Sequence, residues 1–132
     1  MNPARILIVD DEPVIADTLS VIFRGAGYET FTAYNGVLGL DAARKLIPNL
    51  VLTDVMMPEL DGVTMAMEIC HLLPEVRVLL FSGQAGTMDL LQGAKGKGFN
   101  FELLQKPIHP DEIMRKVALA LKQPGGSCGT DK

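Results

Sequence analysis

The feature that most constrains this chain is an alternation. Short runs rich in Val, Ile, Leu and Phe, four to six residues long, are separated by longer amphipathic stretches. The runs are 5–9, 28–33, 50–53, 76–81 and 101–104. Runs of this length that are apolar at nearly every position suit strands buried on both faces, whereas a half-exposed strand alternates. The run 28–33 (Tyr-Glu-Thr-Phe-Thr-Ala) does alternate, and it is predicted at a sheet edge. The stretches between the runs carry a helical period; in 14–26, apolar residues fall at 15, 19, 22 and 23.

Turn residues divide these segments. Pro13 suits the first turn of a helix, where its missing N–H is not needed, and Gly25 and Gly27 stop that helix. Asn35-Gly36 turns into a helix over 37–46 that ends before Pro48, and Asp61-Gly62 opens one that runs to about residue 72 and closes at Pro74. A weaker helix is predicted over 87–94, because Gly86, Gly93, Gly96 and Gly98 lower helical propensity; the stretch 93–98 (GAKGKG) reads as a solvated loop. Pro110 starts a last helix over 111–122. The product is five strand–helix units. Apolar strands joined by right-handed helical crossovers imply an α/β three-layer sandwich, with a parallel sheet covered on both faces. One domain over 1–122 is expected, followed by a polar, Gly-rich, disordered tail at 123–132.

Composition excludes several classes. With 132 residues, 48% hydrophobic and 21% charged, the chain can bury one proper core. No apolar stretch is long enough to cross a membrane and no secretory leader is visible, so a cytoplasmic location without membrane contact is expected. The net charge of −4 argues against direct nucleic-acid binding. Cys70 and Cys128 lack metal-site spacing and are expected to be free thiols in a reducing compartment. His71 and His109 have no carboxylate at catalytic or metal spacing and read as surface residues.

In open parallel sheets, ligands sit outside the carboxyl ends of the strands. Here those ends carry Asp10-Asp11 after the first run, Asp54 after the third, Ser82 after the fourth and Lys106-Pro107 after the fifth. Any one of these is ordinarily a loop or a cap; together they place every plausible reactive group at one edge. Carboxylates converging at ~4 Å repel by roughly 4 kcal/mol per pair at an effective dielectric of ~20. A raised pKa or a bound cation relieves this. An all-oxygen site of this kind suits Mg²⁺, which keeps waters and accepts phosphate oxygens. Asp54 is then the natural nucleophile of an aspartyl-phosphate, with Lys106 and Ser82 available to hold phosphoryl oxygens.

These residues resemble the receiver domain of two-component response regulators, the CheY-like family. The matching motifs are Ile6 to Glu12 (ILIVDDE), Leu52 to Gly62 (LTDVMMPELDG), Phe81-Ser82-Gly83 and Gln105-Lys106-Pro107, and the likeness covers about residues 4–122. The resemblance implies a flavodoxin-like (βα)5 fold with strand order 2-1-3-4-5. It implies Asp54 as phosphoacceptor, with Asp10, Asp11, Asp54 and the backbone carbonyl of Met56 as Mg²⁺ ligands. Lys106 would pair with the acceptor or its phosphoryl group, through a cis bond to Pro107, and Ser82 would hydrogen-bond the phosphoryl group on activation. Gly83 would keep the acceptor accessible, Pro58 and Gly62 would shape the loop after Asp54, and Met56 and Gln84 would tune dephosphorylation. The partners implied are a sensor histidine kinase or phosphotransfer protein and a downstream protein. That partner, or a weak homodimer, would meet the face of the fourth helix, fifth strand and fifth helix. The chain would be no enzyme beyond its own phosphorylation and dephosphorylation, and would either stand alone or belong to a longer regulator.

One position departs from the family pattern. Three residues before the Lys, where Tyr or Phe is usual, stands Leu103; Phe101 has the same strand parity but lies two residues earlier. This leaves open an alternative, a receiver-like interaction module that works without phosphorylation. A phosphohydrolase fits poorly: its usual Asp-x-Asp after the first strand is missing, and Val55-Met56 follows Asp54.

Overall fold

The computed structural model describes residues 2–84, 86–123, 126 and 128. Its elements follow the alternation: β1 (Arg5–Val9), α1 (Pro13–Gly25), β2 (Glu29–Ala33), α2 (Gly36–Leu46), β3 (Leu50–Asp54), α3 (Gly62–Leu72), β4 (Arg77–Ser82), α4 (Thr87–Gly96), β5 (Glu102–Gln105) and α5 (Pro110–Lys122). The five strands form one parallel sheet in the order β2-β1-β3-β4-β5, so β2 is an edge as its alternation predicts. β1 and β3 sit mid-sheet, and their apolar residues are fully buried.

Strand periodicity divides the core in two. Ile6, Ile8, Leu50, Leu52, Leu79 and Phe81 point to one face, where Ala16, Leu19 and Phe23 of α1 and Ile113 and Val117 of α5 cover them. Leu7, Val9, Val51, Val78 and Leu80 point to the other, against Ala43 of α2, Val63, Met65, Ala66 and Ile69 of α3 and Ala94 of α4. The strand side-chain period of two thus feeds both outer layers from one sheet. The same register aligns the carboxyl ends. Val9 pairs with Thr53, Asp54 with Phe81 and Ser82 with Gln105, so Asp10, Asp54, Ser82 and Lys106 leave the sheet side by side.

Three of the five helix starts carry a side-chain cap, α2, α3 and α5. Asn35 Oδ1 accepts from Leu38 N at 2.7 Å and Asp61 Oδ1 from Thr64 N at 2.8 Å, each satisfying a first-turn donor. His109, exposed as expected, caps α5, its Nδ1 accepting from Asp111 N at 3.1 Å. His71 is exposed and meets Phe99 edge-on, with ring centroids 5.9 Å apart. Among the described residues, no helix is long and apolar enough to cross a membrane.

Two expectations are corrected. The stretch 93–98 is not a loop over its length: α4 runs through Gly93 to Gly96, and the chain turns only at Lys97 and Gly98. Burial of Ala94 and of the following Phe99 holds this last turn against the core, which outweighs the weak propensity of the glycines. The cysteines are not free thiols: Cys70 of α3 and Cys128 form a disulfide. Their sequence separation of 58 gave no spacing signal; the fold places Cys128 beside Leu73 and Val76, between the end of α3 and the start of β4. Of the tail expected to be disordered, Gln123, Gly126 and Cys128 are placed against the body of the domain, and residues 124, 125, 127 and 129–132 lie outside the described ones.

Candidate functional site

Asp54 ends β3 and is 4% exposed. Thr53 Oγ1 donates to the Asp54 carbonyl and Val55 N donates to Asp54 Oδ1, both at 2.8 Å, which fixes the carboxylate at the strand end. The loop that follows returns at once: Gly62 N donates to the Val55 carbonyl at 2.8 Å. A Cβ at Gly62 would collide with the Asp54 carbonyl, so this close approach demands glycine. Met56 lies two residues past Asp54, half-buried, its side chain packed on the core and close to Gly86 before α4.

Asp10 follows β1 and is fully buried. Its Oδ1 accepts from Glu12 N at 2.8 Å, while its Oδ2 is buried without a hydrogen-bond donor. Asp11 is exposed beside it, and one carboxylate oxygen from each of Asp10, Asp11 and Asp54 lies within 4.8 Å of the others. Lys106 reaches over from the end of β5. Its Nζ is 3.7 Å from Asp10 Oδ2 and 3.8 Å from Asp54 Oδ1, and 4.6 Å from the centre of the Phe81 ring. The Lys106–Pro107 bond is cis.

The carboxylates are electrostatically unsatisfied. Burial, reinforced by Asp10, pushes the Asp54 pKa up from its ordinary 3.8 to about 6, despite the opposing effects of Lys106 and the Val55 N–H. Burial also raises Asp10, against the Glu12 N–H and Lys106. One lysine shared between two buried carboxylates at nearly 4 Å does not neutralise them. A divalent cation fits this group: the donors are all oxygen, one buried oxygen has no donor, and the charge balance is negative.

Ser82 lies at the same edge, 3% exposed, but its hydroxyl faces the start of α4. It is 2.7 Å from Thr87 Oγ1 and accepts from Gln84 N at 3.2 Å, while Thr87 Oγ1 donates to the Gln84 carbonyl at 3.0 Å. Thr87, itself buried, is the residue that reading the sequence missed. Its signal was a hydroxyl residue opening a helix just after a turn glycine. Leu103 lines the hollow shared by Ser82, Thr87, Met88 and Lys106, whereas Phe101 is buried and stacked on Phe99 with centroids 5.6 Å apart. Phe101 therefore does not take the place of an aromatic at 103.

Comparison with known proteins decides the family. The model of the response regulator receiver domain matches residues 6–118. The chain belongs to this family. Among curated relatives, the receiver domain is similar to the DNA-binding response regulator MtrA of Mycolicibacterium smegmatis, 31% identical over 122 residues that span 90% of this chain and 51% of that protein. The chain thus spans about half the length of the curated relatives it matches. Among solved structures, it is similar to a CheY-like receiver domain protein from Methanospirillum hungatei, with TM-score 0.81, 26% identity and coverage of 91% of this chain and 94% of that one. NtrX of Brucella abortus matches at TM-score 0.78 and 32% identity, over 91% of this chain and 27% of that one. The (βα)5 fold and strand order of the receiver domain agree with these neighbours. It is a two-component signalling module.

Proposed function

We propose that this receiver domain, residues 1–122, accepts a phosphoryl group on Asp54 from the phosphohistidine of a sensor kinase or phosphotransfer protein. The observation that carries the proposal is the convergence of Asp10, Asp11 and Asp54 within 4.8 Å, with Lys106 Nζ within 3.8 Å of two of them. The raised Asp54 pKa of about 6 leaves the carboxylate ionised at neutral pH yet more basic than an ordinary one, as a nucleophile requires.

An Asp54 carboxylate oxygen attacks phosphorus, the P–N bond to the donor imidazole breaks, and the imidazole leaves with a proton. Asp10, Asp11, Asp54 and the Met56 carbonyl would hold Mg²⁺, which neutralises the carboxylates and the incoming phosphoryl oxygens. Lys106, already between Asp10 and Asp54, takes a phosphoryl oxygen as its counterion. Ser82 is held by Thr87, so reaching the phosphoryl group requires exchanging that hydrogen bond for a charge-assisted one. Because Thr87 opens α4, the exchange is coupled to the position of that helix, and with β5 and α5 to the surface offered to a downstream protein. With a leucine at 103, Ser82 and Thr87 carry this coupling without an aromatic rotamer.

The domain acts on no substrate but itself, works in the cytoplasm, and contacts protein rather than DNA through its acidic surface. The test is incorporation of label from phosphoramidate and from a phosphorylated histidine kinase, with and without Mg²⁺. Asp54 is expected to take up one phosphoryl group only with Mg²⁺, and Asp54→Asn none. Unchanged uptake by Asp54→Asn would favour a phosphorylation-independent module with adventitious labelling.

A further inference from the structure

The amino edge of the sheet carries a second chemical feature, the Cys70–Cys128 pair. Cys70 lies in the last turns of α3 and is 5% exposed, packed in the same core cluster as Val76 and Val78. Cys128 is half-buried on the same cluster, with its Sγ 3.5 Å from the Val76 carbonyl and 3.8 Å from the Leu73 carbonyl. The disulfide is not the only contact of this segment. Arg77 Nη2 donates to the Gln123 carbonyl at 2.5 Å. Gly126 lies so close to the entry of β4 that a Cβ there would stand 2.6 Å from Glu75 C and Val76 O, which are backbone atoms that cannot turn aside. Three described residues after α5 are therefore seated on the corner between α3 and β4, each by a different interaction.

We propose that Cys70 and Cys128 are a reversible thiol–disulfide exchange site for low-molecular-weight thiols, and that their redox state holds Gln123, Gly126 and Cys128 on the α3–β4 corner or releases them from it. The two sulfurs differ in the way exchange requires. Cys128 is the accessible one, so an incoming thiolate attacks its Sγ and the electron pair of the S–S bond leaves with Cys70 Sγ, which takes a proton. A second thiolate then attacks the mixed disulfide, releases Cys128 as a thiol and forms the small-molecule disulfide. The balance is two low-molecular-weight thiols oxidised for one protein disulfide reduced; oxidised glutathione drives the reverse. Both products have a place in the fold. The Cys70 thiol behaves as a small buried hydrophobe, and the Cys128 thiol has the Val76 and Leu73 carbonyls as acceptors if the segment stays seated. In a reducing compartment a protein disulfide persists only transiently, which makes a pair built this way a sensor rather than a permanent staple.

The latch is remote from the acidic site in chain position but encloses half of it. The loop closed by the bond contains β4, α4, β5 and α5, and with them Ser82, Thr87 and Lys106. The inference does not depend on phosphorylation of Asp54.

The test uses the full chain equilibrated in glutathione buffers of graded ratio. Thiol alkylation with mass spectrometry reads the Cys70–Cys128 bond, and the rate of tryptic cleavage after Lys122 reads whether the residues beyond α5 are held. The expected result is a reversible two-electron transition, with cleavage after Lys122 rising at least tenfold on reduction. Cys128→Ser should match the reduced wild type under every buffer. Gly126→Ala, which keeps both cysteines but crowds the β4 entry, should shift the transition toward the reduced form. Three outcomes would overturn the proposal: no bond formed in oxidised glutathione, a bond that resists excess reduced glutathione in the folded chain, or cleavage after Lys122 at the same rate in both states.

Discussion

The two edges of the sheet solve opposite problems. At the carboxyl edge, three acidic side chains converge and two of them are buried, with one lysine between them. That arrangement costs folding free energy in the absence of a cation, and the upward shift of Asp54 to about 6 measures part of that cost. At the amino edge, the chain after α5 is tied down by a disulfide, an arginine–carbonyl hydrogen bond and a glycine contact. That edge contributes stability through a covalent bond and contacts with backbone atoms. Reactivity and reinforcement are thus separated by the length of the strands, so the reactive edge can be unsatisfied without the domain becoming loose.

This contrast can be broken or sharpened by measurement. The largest expected effect is at the amino edge. A bond closing a loop between residues 70 and 128 is worth about 4 kcal/mol by chain entropy. Cys128→Ser should therefore lower the unfolding free energy by roughly that amount in oxidising buffer and by little in reducing buffer, read by denaturant titration. An equal loss in both buffers would mean that the side chain matters only for its packing.

The next effect has the opposite sign and lies at the carboxyl edge. Asp54 holds a proton in the native state between pH ~4 and ~6 that the unfolded chain has released, so metal-free stability falls as pH rises through that window. The difference between 3.8 and about 6 corresponds to about 3 kcal/mol at neutral pH. Asp54→Asn should be more stable than wild type at pH 7 by up to that amount, and the gap should close toward pH 4. Asp10, also raised, leaves a residual slope of the same sign in the variant. Added Mg²⁺ should raise the Tm of the wild type and do little for Asp54→Asn. A destabilised Asp54→Asn would show that the carboxylate is structural rather than poised.

The smallest effect concerns the link between the site and α4. Ser82→Ala removes the 2.7 Å bond to Thr87 and the acceptor of Gln84 N, but Thr87 keeps the Gln84 carbonyl as an acceptor and Gln84 is exposed to water. A loss of only about 1 kcal/mol is expected. Thr87→Val should instead free the Ser82 hydroxyl, and so lengthen the lifetime of the phosphorylated state. An unchanged lifetime would remove Thr87 from the coupling between acceptor and helix.

The legibility of the two edges in the sequence also differs. The carboxyl edge was readable because each candidate site residue lies at or just past the end of an apolar run, and parallel strands carry all such residues to one side. Asp10, Asp54, Ser82 and Lys106 needed only that rule to be placed together. Strand order is not contained in periodicity and came from the likeness of the motifs to receiver domains. Thr87 escaped notice because a helix-opening threonine is common, and only its distance to Ser82 gives it meaning. The amino edge was unreadable for a different reason. The pairing of Cys70 with Cys128 depends on where α5 ends relative to α3, a long-range relation that a polar, glycine-rich segment does not announce. The extent of α4 was misjudged because local propensity was weighed without the burial of Ala94 and Phe99.

The central claim is that Asp54 is the phosphoacceptor, and reductive trapping tests it most directly. The receiver domain is treated with phosphoramidate and Mg²⁺, reduced with borohydride, digested and sequenced by mass spectrometry. Borohydride converts an acyl phosphate, but not a free carboxylate, to an alcohol. The expected result is homoserine at position 54, dependent on both the donor and Mg²⁺. Homoserine at another aspartate, or no homoserine at 54 in a sample shown by mass to be phosphorylated before reduction, would contradict it.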